Sequence, residues 1–66
     1  MINKIDIVNN RLTSLHELRS DIEMNLHLNY SLEFPIKENE DELNRCLVDT
    51  DNKIAALEAL HASLDA

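Results

Sequence analysis

The sequence predicts an all-α fold: a two-helix antiparallel hairpin that self-associates into a helical bundle, four-helix if dimeric. Three observations lead there. Two stretches space their apolar residues by alternating steps of three and four, a mean period of about 3.5 that keeps one side of a helix against a partner helix. The 66 residues include no glycine and a single proline, which leaves few means of making several tight turns. The two stretches are also of similar length and meet near the middle of the chain, as the arms of a hairpin would.

The first stretch runs Met1, Ile5, Val8, Leu12, Leu15, Arg19, Ile22, Leu26. One basic residue, Arg19, stands where an aliphatic is expected, and Ile2 and Leu18 flank the seam. A helix is predicted over about 2–27. Residues 28–39 form the connection. Within it Leu28, Tyr30, Leu32, Phe34 and Ile36 alternate with polar residues and Pro35, a period of two that suits an extended segment. Two readings fit that segment: an ordered connection whose apolar side chains plug the open end of a bundle, or a short strand pairing with its copy in another subunit. Tyr30, Leu32 and Phe34 are candidates for contact with a partner protein.

The second helix is predicted over about 40–64. Asn39 is its expected cap, with Glu42 three residues on as in a capping box and Glu40 and Asp41 at the positive end of the helix dipole. Its seam is Leu43, Leu47, Thr50, Ile54, Leu57, His61 and Leu64. If the two ends are aligned, facing residues have numbers totalling about 67. Arg19 then falls near Asp49, Asp21 near Arg45, Arg11 near Glu58 and His61 near Asp6.

A chain this short buries only about 60% of its unfolded surface, so a lone hairpin needs support. Cys46 is the sole cysteine, which excludes an internal disulfide. His16, His27 and His61 lack metal-ligand spacing. Self-association is the remaining support, and a homodimer is expected. The candidate oligomer interface comprises Ile5, Val8, Leu12, Leu15, Leu18, Arg19, Ile22, Leu47, Ile54, Leu57, Leu60, His61 and Leu64. Ile2, Leu18, Cys46, Val48 and Leu60 lie beside the seams and would stay exposed in a single hairpin. Arg19 is expected to fix register against a carboxylate, and His61 in the seam raises the idea of a pH-sensitive dimer contact.

The formal charge is −7, and residues 40–66 account for most of it, with Arg45 and Lys53 set against seven acids. Such a surface repels nucleic acid and anionic lipid. The six basic residues are dispersed, without a stripe or stacking platform. Cys46 has no base placed to activate it, and the interior seam is too aliphatic for the Glu23–His27 pair to seed a di-metal site. No catalytic residue, cofactor or metal is therefore expected. With no signal-type apolar segment and no spanning run, the expectation is a cytoplasmic protein. The function expected is a non-enzymatic structural or protein-interaction module that binds another protein. Its rival is an acidic inhibitor or nucleic-acid mimic occupying a basic site.

Overall fold

A computed structural model describes residues 3–65 as two helices joined by a short loop. Helix α1 spans Lys4–Tyr30 and α2 spans Lys37–Asp65. They pack side by side and antiparallel in a body of 50 × 18 × 12 Å. The all-α hairpin expected from the spacing is thus present. Met1 and Ile2, assigned to the first seam and its flank, lie outside the described residues.

Helix α1 begins where Asn3, in extended geometry, accepts the Asp6 N–H on its side-chain oxygen at 2.9 Å. That satisfies one of the donors a helix start leaves without a partner. The helix ends at Ser31, whose N–H donates to the carbonyls of His27 and Leu28 and whose hydroxyl donates to His27. No non-glycine residue among those described has positive φ. The chain therefore reverses without a left-handed cap, using a loop long enough to do so in ordinary backbone geometry.

The connection is shorter than the sequence suggests. Both helices run further into it, and only residues 31–36 are non-helical. The period-two reading of 28–36 is overturned: Leu28 to Tyr30 form the last turn of α1, and 31–34 are turn and bends. Nor do the apolar side chains plug the end of their own hairpin, since Leu28, Tyr30, Leu32, Phe34 and Ile36 are all exposed. Asn39 does not cap α2, which already begins at Lys37; the first helical acceptor is the Ile36 carbonyl, taken by the Glu40 N–H at 3.1 Å. Pro35 lies two residues ahead of this start, a place where its missing N–H costs little.

The loop is closed by Asn29. Its amide donates to the Ile36 carbonyl at 3.1 Å and accepts the Ile36 N–H at 3.3 Å. One buried side chain thus stands in for a backbone ladder across the reversal. Asn29 is only 6% exposed, and no buried side-chain polar atom among the described residues lacks a partner.

Burial follows the seven-residue repeat. Labelling its positions a to g, the seam of α1 has Ile5, Leu12, Arg19 and Leu26 at a, and Val8, Leu15, Ile22 and Asn29 at d. In α2, Glu40, Leu47, Ile54 and His61 hold a, and Leu43, Thr50, Leu57 and Leu64 hold d. Among the described residues these are the only ones not classed as exposed. Val8, Ile22, Leu26 and Ile54 form the buried apolar core, with Thr50 among them, its hydroxyl donating to the Cys46 carbonyl one turn back at 2.7 Å.

The register differs from the aligned-ends expectation. Arg19 meets Asp51 and Tyr30 meets Glu40, pairs whose numbers total 70 rather than 67. Asp49 pairs instead with Lys53 on its own helix at 3.0 Å, and His61 sits 3.6 Å from Asp65 rather than near Asp6. Neither Asp21 with Arg45 nor Arg11 with Glu58 forms an ion pair. Interlocking of the two apolar seams sets the offset, because exposed charge pairs are too weak to override it.

Candidate interaction surfaces

With a and d committed to the other helix, the g and c positions form one flank of the hairpin and e and b form the other. The first flank is marked by two shallow grooves. One lies between Asn25, Leu28 and Leu32 on one side and Asn39, Glu42 and Cys46 on the other, floored by Asn29 and Leu43. Farther from the loop, Arg11 and Ser14 face Lys53 and Ala56 over Leu15 and Leu57. Ser14 and Ala56 are small, so the sides of the two seam leucines stay within reach from solvent.

The second flank is polar. Arg19, at a seam position, turns its guanidinium out to this side, where Nε donates to Asp51 Oδ1 at 2.6 Å and Nη1 pairs with Glu23. The Asp51 hydrogen bond and charge, with the Glu23 charge, raise the Arg19 pKa, so the side chain stays cationic. Arg19 thereby keeps its stem along the seam and its charge in water. Near the loop the Tyr30 hydroxyl donates to Glu40 Oε1 at 2.9 Å. That hydrogen bond is the main cause of a raised tyrosine pKa, followed by partial desolvation and the Glu40 charge, with Asn44 opposing them. At the far end Asn9 and Leu12 lie across a shallow dip from Glu58, His61 and Asp65.

Among the candidate interface residues, Ile5, Val8, Leu12, Leu15, Arg19, Ile22, Leu47, Ile54, Leu57, His61 and Leu64 are buried or half-buried between the chain's own helices. Leu18 and Leu60 are the two left exposed, at 47% and 46%. Both lie at g. Of the candidate partner contacts, Phe34 is 81% exposed at the tip of the loop, Leu32 is on the groove flank, and Tyr30 is held to Glu40 on the polar flank. Cys46 is exposed on the groove flank.

Asn29 and Glu40 complete the seam and were not assigned to it from the sequence. The signal was available: three steps beyond Leu26 is Asn29, and three before Leu43 is Glu40. Their polarity masked it. Asp51 was likewise missed as the partner of Arg19, because it becomes a neighbour only in the observed register.

No helix among the described residues is long and apolar enough to cross a membrane, and no group of three or more potential metal ligands is gathered there. Comparison with protein-family models, with curated proteins and with solved structures finds no match to this chain.

Proposed function

We propose that this chain is a non-enzymatic assembly module: a hairpin that self-associates, through coiled-coil-like packing of a four-helix bundle, and presents a surface to another protein. The observation that carries this reading is the apolar surface left over once both seams are matched. Leu18, Leu28, Leu32, Phe34, Ile36 and Leu60 are all exposed, while the buried apolar core among the described residues is four residues. Clustered apolar exposure on so small a domain marks interaction sites. The grooves are open and shallow, unlike the enclosing clefts in which ligands and reacting groups are held. A lone thiol fits a reducing compartment such as the cytoplasm.

Sedimentation equilibrium from low to high micromolar protein tests the self-association. A mass rising toward roughly twice the 7.6 kDa of one chain is expected. A mass fixed at one chain across that range removes the reading.

One observation favours a second reading, an acidic flank docking on a basic protein. Glu23, Asp51, Glu58 and Asp65 share the e positions. Along α2 the last three are seven residues apart, about 10.5 Å at 1.5 Å per residue, whereas duplex DNA places a phosphate every ~3.4 Å along each strand. The spacing is too coarse for close phosphate mimicry and better suits scattered Lys and Arg on a protein. Binding to a poly-arginine peptide that fades with D51N, E58Q and D65N together would support it, and unchanged binding would remove it.

A further inference from the structure

We infer that a second copy of this chain docks on the groove flank, so that the g and c positions of one hairpin meet those of the other. The inference rests on the proposed self-association and names the face that performs it. Two independent features select this flank, charge and shape.

The charge of the hairpin is divided very unevenly. The groove flank carries Lys4, Arg11 and Lys53 at g and Asp21, Glu42 and Asp49 at c, three cations against three acids and so neutral. The opposite flank carries Asp6, Glu23, Asp41, Asp51, Glu58 and Asp65, joined by Glu40 from the seam, against only Arg19 and Lys37. It therefore holds five of the chain's seven net negative charges, the remainder lying on the back of the hairpin and the loop. A twofold dimer brings one patch against itself. The acidic flank would repel its own copy, while a neutral flank with both signs can face its copy with cations opposite acids. Arg11 and Asp21 make no ion pair within the hairpin, so both are open to partners across such an interface.

Shape selects the same flank. Leu18 and Leu60 project from g, about half exposed, and between them lies the groove where Ser14 and Ala56 leave Leu15 and Leu57 accessible. A leucine from a facing copy has a place to enter, and small residues at the rim let the helices approach. The opposite flank offers Asn9, His16, Arg19, Asp51 and Glu58 at the corresponding level, with no projecting leucine.

The test is the mass of the full-length chain by sedimentation equilibrium in three forms. Wild type is expected near twice 7.6 kDa at high concentration, L18E/L60E at one chain, and V48E, on the acidic flank, still at two. If wild type is dimeric and L18E/L60E remains dimeric, the inference is overturned while self-association stands. If wild type is monomeric throughout, both fall. Should L18E/L60E lose its helical circular dichroism, Cys46 in the wild type decides. Its alkylation by iodoacetamide is expected to slow several-fold as the dimer forms, and a rate unchanged across the monomer–dimer transition overturns the inference.

Discussion

Arg19 and Asp51 are joined across the hairpin by a 2.6 Å hydrogen bond from Nε to Oδ1, although Arg19 occupies a position that its neighbours in the seam fill with aliphatics. The guanidinium escapes burial by turning toward the e positions of both helices, where Glu23 and Asp51 converge on it. Two acids that would otherwise repel each other across the flank are thereby held together. The ion pairs are exposed, so their effect on stability is small and sensitive to salt. D51N is expected to lower the thermal midpoint slightly, and about 1 M salt to erase the difference from wild type. R19L, which restores an aliphatic seam, is expected to raise the midpoint. A fall with R19L would show that the charge bridge outweighs the packing it displaces.

Asn29 carries the loop. N29A removes a donor and an acceptor at once; it leaves the Ile36 N–H without its partner and the Ile36 carbonyl with the Glu40 N–H alone. The expected loss is about 1–3 kcal/mol in urea unfolding, at about 0.5–1.5 kcal/mol for each of the two hydrogen bonds. N29D retains an acceptor but sets a carboxylate against the Ile36 carbonyl, so its loss should be no smaller. A neutral N29A would mean that water replaces both bonds without cost.

Core substitutions should sort by seam position. I54A empties a buried site, with Ile54 only 7% exposed, and is expected to cost about 2–5 kcal/mol. V48A, on a side chain 61% exposed, should change stability by under about 0.5 kcal/mol. T50V is a sharper case. The Thr50 hydroxyl bonds only to a carbonyl of its own helix, so replacing it with a methyl group should be neutral or stabilising. Urea midpoints for the three variants check the ranking.

Tyr30 gives the fold a dependence on alkaline pH. Hydrogen bonding to Glu40 raises its pKa above the ordinary 10.0, because the bond exists only while the phenol keeps its proton. A raised folded-state value contributes stability that is whole below the unfolded value near 10.0 and is lost as pH rises through the folded one. Tyr30 is the only tyrosine, so its ultraviolet titration reads the group directly. The wild-type midpoint should exceed that of the urea-unfolded chain, and E40Q should lower it. Coincident midpoints in the folded and unfolded chain would show that the contact does not persist in solution.

The sequence by itself determined that there are two helices, that they run antiparallel, and which side of each is hidden. The three-four alternation from Ile5 to Leu26 and from Leu43 to Leu64 carries that information locally, because a helix turns each residue by a fixed angle whatever lies beside it. It also marked Leu18, Cys46, Val48 and Leu60 as outside the seam, where they are found. The tertiary structure alone decided the register, the ends of the helices at the loop, and the partners of Arg19 and His61. Those depend on how two rods slide past each other and on one buried amide, Asn29, bonding seven residues ahead. An alternating run such as Leu28–Ile36 reads as extended only when it is taken alone. Once the seam continues through Asn29 to Glu40, the helices lengthen to meet there, and the apolar side chains of the loop are left facing water.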